Sequence, residues 1–272
     1  MGQAQIKGSS VQAVSRALKI LEAFSPEQPE LSLNDFSKIT GFYKSTILRQ
    51  LDTLLEEGFL VKEPETGRYR IGAKVYLLGQ IFIKSSSLLK SADTVLKEVV
   101  EKLQETTGIF VIDEMERLCL KMVSGPHYIR ATFETGHRMP IYAGASGKVL
   151  LAFSSNSFVN RVIKETGLQR LTDLTLTEPS KLRSELAKIK ECGWSVSWGE
   201  RVPNAITVSV PVFGDDGRIV CSLSTSGPSD RMTKRIIPGI IRVLQRAGMK
   251  LSTDIGYLGD YWNKVIKEPV VI

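Results

Sequence analysis

Residues 40–61 read TGFYKSTILRQLDTLLEEGFLV, and no other stretch limits the fold as tightly. Ile47, Leu51, Leu54 and Leu55 fall at i, i+4, i+7 and i+8, one stripe of a 3.6-residue helix. At 100° per residue, Ser45, Arg49 and Thr53 point the opposite way. The stretch is therefore a helix that buries one side and offers hydroxyls and a guanidinium on the other. Those groups suit phosphate oxygens and base edges, and they equally suit water. The neighbouring segments decide between the two.

Upstream, Val11, Val14, Leu18 and Leu21 form a stripe expected to face a core, with Ser9 or Ser10 as N-cap and Pro26 and Pro29 ending the helix. Leu33, Phe36 and Ile39 make a second, shorter stripe. Ser32 with Asp35 resembles a capping box with Asp in the Glu position, and Gly41 stands where a left-handed residue would stop the helix. A short helix, a glycine turn and the polar-fronted helix form a helix-turn-helix. Downstream, FLVKEPETGRYRIG reads as two strands, Phe59 to Lys62 and Arg68 to Ile71, around a turn at Pro64 to Gly67. Three helices and a basic hairpin describe a winged helix-turn-helix whose third helix enters the major groove. Arg49 is then the candidate for base-edge contact, and Ser45 and Thr46 meet phosphates at the helix start. Lys44, Arg68 and Arg70 are candidate backbone contacts. The alternative is a small-molecule-binding protein whose helical subdomain mainly makes protein contacts.

Charge adds less than it first suggests. The chain carries +7, but residues 1–87 hold eleven Lys or Arg against nine Asp or Glu, so most of the excess lies elsewhere. The apolar runs fall far short of the ~18 residues of a membrane span. The segment MGQAQIKGSS has no apolar signal region. Cys119, Cys192 and Cys221 are scattered and His127 and His137 are isolated, so neither a disulfide framework nor a metal site is expected, and a reducing cytoplasm fits.

Residues 72–106 are helical in pattern: Val75, Leu78, Ile81 and Phe82, then Leu88, Val95, Val99 and Leu103, with a break at Lys84 to Ser87. Tyr76, Leu77, Leu78, Ile81 and Phe82 are many apolar groups for one connector. They suit ordinary packing onto a domain or, preferably, a dimer contact, since two half-sites multiply a short readout.

From residue 108 the pattern becomes mixed. Ile109 to Met115 and Leu118 to Val123 read as a hairpin around Glu116-Arg117, and Ile129 to Phe133 as another strand. Ser146 to Phe153, Asn156 to Thr166 and Pro179 to Cys192 read as helices, the last with Thr177 as N-cap. WSVSWGE, ITVSVPVF and RIVCSLSTSG are strands, the last two joined at Asp215 to Gly217. Residues 230–254 form a long helix that Pro238 kinks or delays. A sheet with helices segregated around it is an α+β domain. GASGK fails as a phosphate loop, because Tyr142 stands where the first Gly is required and Val149 follows Lys148. No GxSxG occurs, and no catalytic residue or cofactor is expected. Ser195 and Ser197 share a strand face, as do Thr207 and Ser209, and Ser222, Ser224 and Ser226. This row is either an exposed polar face or the floor of a pocket for a small carboxylate facing a helix N-terminus. Trp194 and Trp198 either wall that pocket or, preferably, pack in the core.

Together, SSVQAVSRALKILEAF, TGFYKSTILRQLDTLLEEGFL with the wing ETGRYRIG, GHRMPIYAGASGKVLLAF and SLSTSGPSDRMT resemble the IclR family of bacterial and archaeal transcriptional regulators, from about Ser10 to Gly256. The resemblance implies a winged helix-turn-helix at 9–72, a linker and dimerisation helix at 73–88 and a GAF-like effector-binding domain at 89–258. It implies a homodimer or homotetramer on palindromic double-stranded operator DNA, answering to a small organic acid. The family's effector loop matches Gly144, Ala145 and Ser146. Its polar strand positions match Ser197, Thr207, Ser224 and Ser226, and its apolar walls Ala131, Met139 and Ala205. Ser197 and Thr207 depart from the acidic residue and the Cys of some members, and Tyr43 and Gln50 from the Pro and Leu of many.

Overall fold

The computed structural model describes residues 11–25, 27–130, 133–266 and 270. Ser9, Ser10, Pro26, Ala131 and Thr132, named above or within the expected strand 129–133, lie outside them. The chain divides into two compact units, the first ending at Ser85 and the second starting at Ser86.

In the first unit, helix α1 (Gln12–Leu21), strand β1 (Glu30–Leu31), helices α2 (Leu33–Thr40) and α3 (Lys44–Glu56), strands β2 (Leu60–Lys62) and β3 (Tyr69–Ile71) and helix α4 (Ala73–Ser85) follow in order. The capping box forms: the Ser32 N–H donates to Asp35 Oδ2 at 2.9 Å and the Asp35 N–H to Ser32 Oγ at 3.3 Å. The Ser32 N–H, and then the Ser32 hydroxyl, which donates to Asp35 Oδ2 at 2.7 Å, hold the Asp35 carboxyl below its usual range. Gly41 ends α2 at φ +70°, a conformation that costs a side-chain-bearing residue about 1 kcal/mol or more. Three antiparallel strands, ordered β1-β3-β2, close the wing. The core gathers Ile20, Leu31, Phe36, Ile47, Leu51, Leu54, Leu60 and Tyr69, with Phe24 edge-on to Phe36.

Of the stripe expected of α1, only Leu21 packs against the core. Val11, Val14 and Leu18 are exposed, and Ala17, Ile20, Ala23 and Phe24 turn inward, roughly 120° around the helix. Two apolar faces share this helix, and spacing alone does not say which one meets Phe36. Ile39 is likewise exposed, leaving Phe36 as the buried anchor of α2. No residue of α4 is buried, and Tyr76, Leu77, Leu78, Ile81, Phe82 and Ile83 all stand in the open.

The second unit opens with α5 (Ser87–Leu103), capped by Ser86, whose hydroxyl accepts from the Leu89 N–H at 3.2 Å. Strands β4 (Thr106–Asp113), β5 (Glu116–Val123) and β6 (Arg138–Pro140) precede helices α6 (Ala145–Ala152), α7 (Asn156–Thr166) and α8 (Pro179–Cys192). Strands β7 (Ser195–Trp198), β8 (Ala205–Phe213) and β9 (Ile219–Pro228) lead to α9 (Ile237–Asp254) and α10 (Tyr261–Val265). The strands form one antiparallel sheet, ordered β6-β5-β4-β9-β8-β7. Val208, Val210 and Val212 pack beneath α5 and α9, and a second core lies with α6, α7 and α8. The architecture is α+β, with a helix-turn-helix unit ahead of it.

Several boundaries differ from expectation. The β4–β5 turn falls at Glu114-Met115, with Glu114 at φ +52° and Asp113 paired to Glu116, so Arg117 is a strand residue. Ile129 and Arg130 form no strand; the third strand of this edge is Arg138–Pro140, which pairs with β5. Glu178, not Thr177, is the N-cap of α8, because Pro179 sets the first turn. Pro238 lies in the first turn of α9 and so delays that helix without kinking it. Trp194 and Trp198 pack against the α5/α9 core.

Candidate DNA-binding and effector sites

The outer face of α3 presents Lys44, Ser45, Arg49 and Thr53 to solvent, with Thr46 half-buried. The cap position of α3 is Tyr43, which makes no side-chain cap bond, so the helix amino end keeps N–H groups for an anion. Arg16 of α1, passed over in the sequence, lines a concavity of about 440 Å³ together with Gln12, Ser45, Thr46, Arg49 and Gln50. Only its place in the fold reveals it. The wing arginines are less free. Arg68 Nη1 donates to Glu30 O at 3.1 Å and lies 3.7 Å from Asp35, and Arg70 sits 3.8 Å from Glu63. Both remain about half exposed, so an incoming phosphate competes with these surface pairs at little cost.

In the second unit the serine row lies under α6 and is buried: Ser195, Ser197, Ser209, Ser224 and Ser226 are all within the core, and Thr207 is half-buried. The exposed-face alternative is thereby excluded. A cavity of about 460 Å³ opens beside this row. Its lining includes Met139, Gly144, Ala145, Ser146, Ser197, Ala205, Thr207 and Ser226 of the residues singled out in the sequence. Ser224 does not line it; its hydroxyl donates to Ser209 Oγ at 2.8 Å behind the wall. Thr207 and Ser226 share a hydrogen bond of 2.8 Å at the floor, and the Ser226 hydroxyl also donates to Ile206 O at 3.1 Å. Phe110 and Phe133, 5.2 Å apart, supply an apolar wall that the sequence did not mark.

GASGK is explained by packing. Gly144 starts α6 at φ +93°, and a Cβ on Gly147 would fall 1.9 Å from Ile141 O, so both positions demand glycine. Lys148 is buried: its Nζ donates to Glu200 Oε1 at 2.6 Å and to Glu185 Oε1 at 3.1 Å. Glu200 Oε2 accepts from the Gly144 N–H at 3.2 Å. The Glu200 backbone is held in turn by the Thr175 hydroxyl at 2.6 Å. The lysine that resembles a phosphate ligand is thus an internal strut under the helix.

The largest omission in the sequence reading is Arg117. It is buried on β5, and its Nη1 donates to Ala143 O at 2.6 Å and to Pro140 O, bracketing the loop that delivers Gly144. Its Nε has no partner. Burial, and then Arg201 nearby, pull its pKa down to about 9. Burial also lowers that of Arg201, on the turn after β7. With Arg130, three arginines line the cavity, and no Asp or Glu does among the described residues. On a strand that also carries Glu116 and Lys121, one more charge forms no pattern by which sequence could find it. A concave, positively charged site beside a helix amino end selects anions.

Among the described residues no His/Cys/Asp/Glu cluster is placed to hold a metal, and no helix is long and apolar enough to cross a membrane. Burial pushes the Cys119 thiol up to about 12, which removes it as a nucleophile at neutral pH.

Residues 13–64 match the IclR helix-turn-helix domain model, and residues 80–253 match the model of the bacterial transcriptional regulator IclR C-terminal domain. The chain is 31% identical over 247 residues to the HTH-type transcriptional regulator XynR of Escherichia coli, covering 91% of this chain and 98% of that protein. An IclR transcriptional regulator from a Silicibacter species superposes with TM-score 0.83 at 29% identity, covering 90% of this chain and 96% of that one. An IclR homologue of Microbacterium hydrocarbonoxydans, solved as a complex with 4-hydroxybenzoate, superposes with TM-score 0.78 at 23% identity, covering 89% and 98%.

Proposed function

This chain belongs to the IclR family of transcriptional regulators, a family of DNA-binding proteins and not of enzymes, and we propose that a small organic acid governs its operator binding. The acid occupies the cavity at the amino end of α6. The observation that carries this reading is the lining itself: three arginines and a helix amino end, with no carboxylate among the described lining residues. The 4-hydroxybenzoate complex of a structural relative supports an organic acid as the class of ligand.

Residues 9–72 act as the winged DNA-binding domain, 73–88 as linker and 89–258 as the effector domain, in the cytoplasm. The bare apolar face of α4 serves as the contact of a homodimer, or of a dimer within a tetramer. Two copies of α3 then read a palindrome: Arg49 contacts base edges, and Lys44, Ser45, Thr46, Arg68 and Arg70 contact the backbone. The acid prefers one of two dimer arrangements, which differ in half-site spacing, and so shifts operator affinity.

Selection from random duplexes tests the first half: a palindrome emerges, and failure to select any sequence reassigns α3 to protein contacts. Matched titrations test the second. Linkage requires that the acid change operator affinity and that operator DNA change acid affinity by the same factor. Unequal factors refute the two-state coupling.

A further inference from the structure

Resting on the effector reading above, we propose that the ligand of this cavity carries two separate carboxylates. One sits at the amino end of α6 beside Arg117, and the other meets Arg201. The cations of the cavity outnumber what a monoacid can neutralise. Arg117, Arg130 and Arg201 all line it, and no acidic side chain does among the described residues. The acid nearest to hand, Glu200, is already committed to Lys148 and to the Gly144 N–H. Arg117 is therefore a buried cation whose bonds run to the neutral carbonyls of Pro140 and Ala143, with one N–H unpartnered. Glu200 offsets part of that charge without bonding to it, and an arriving carboxylate supplies the direct partner that the free N–H lacks.

The two guanidiniums sit on different elements, Arg117 on β5 under the α6 entrance and Arg201 on the turn after β7. Both line the same cavity, and Arg201 adds to the burial that lowers the Arg117 pKa. A ligand charged at one end only leaves one member of this repelling pair uncompensated. A planar fork on each element matches two planar carboxylates better than one compact dianionic centre. The aromatic wall of Phe110 and Phe133 gives the carbon skeleton its place.

The test compares each diacid with its own monoamide, which keeps shape and removes one charge. Terephthalate against 4-carbamoylbenzoate, and succinate against succinamate, are titrated calorimetrically into the full-length protein, with inorganic phosphate as a further arm. One of the two diacids binds about tenfold or more tightly than its monoamide, the yield of one added charge-assisted contact. In Arg201→Gln that ratio falls to about threefold or less as the contact is lost. Arg117→Met gives the same collapse; should it fail to fold, Arg201→Gln decides alone. Monoacids that bind as tightly as diacids overturn this inference and leave the organic-acid reading standing, as does phosphate that binds more tightly than either diacid. A ratio unchanged in Arg201→Gln also overturns it. A panel in which no acid binds overturns the organic-acid reading and this inference with it.

Discussion

Replacing Lys148 by Met tests whether the strut beneath α6 is what holds the proposed effector cavity in shape. The Lys148 side chain is 2% exposed and bridges Glu200, 8% exposed, to Glu185, 31% exposed. Methionine fills most of the same volume, so packing is largely conserved and charge is the variable. The change strands the Glu200 carboxylate in the interior with the Gly144 N–H as its remaining hydrogen-bond donor. Breaking a buried pair from one side costs about 3–5 kcal/mol. Each kcal/mol moves the midpoint of a unit this size by about 2–4 °C, so the expected loss is on the order of 10 °C. All three tryptophans, Trp194, Trp198 and Trp262, belong to the second unit, so their emission during urea or thermal unfolding follows that unit selectively. The companion Lys148→Met/Glu200→Gln removes the stranded charge and keeps an oxygen for the Gly144 N–H. It should recover more than half of the loss, a coupling that a double-mutant cycle reads directly. A single variant that loses less than about 1 kcal/mol, or a double variant no more stable than the single one, refutes the reasoning.

Three further outcomes follow from residues already placed. Arg49→Ala loses about 1–3 kcal/mol on the selected operator and little on random duplex, as read by fluorescence anisotropy; equal loss on both moves Arg49 to the phosphate backbone. Gly147→Ala drives a Cβ into Ile141 O and costs about 3 kcal/mol or more, with loss of acid binding, whereas Ala at exposed Gly239, with open space at its Cβ, leaves both unchanged; near-wild-type stability of the first shows that α6 can retreat from its loop. Burial raises the Cys119 pKa to about 12 and that of Cys221 further, while Cys192 is half-buried. Iodoacetamide at pH 8 therefore labels Cys192 first and the other two only after urea, which mass spectrometry of the digests reports; early labelling of Cys221 contradicts its place in the core.

Local rules made the first unit readable, but only in part. The Ser32–Asp35 box, the left-handed Gly41 and the Ile47–Leu51–Leu54 stripe each depend on neighbours within a few residues, and each appears where spacing places it. The orientation of α1 does not, because Val11, Val14 and Leu18 and the inward set around Ile20 are both legitimate helical faces. Strand alternation placed the serine row on one face; whether that face met water or α6 was a tertiary matter. The β4–β5 turn slipped because Glu114 takes a left-handed conformation without glycine, and the slip left Arg117 read as a turn residue. Arg117, Arg201, Lys148 and Glu200 converge from β5, the β7–β8 turn and α6, so no window of sequence contains them together. Charges that are conspicuous in the fold were ordinary in the chain.

Between α4 and α5 stands a single residue, Ser86, whose hydroxyl serves the incoming helix. A splice immediately before it carries the downstream half away with its first turn already satisfied. Grafting that half behind a foreign reader head thus calls for no redesign of the seam, and evolution by exchange of heads has the same easy crossing point.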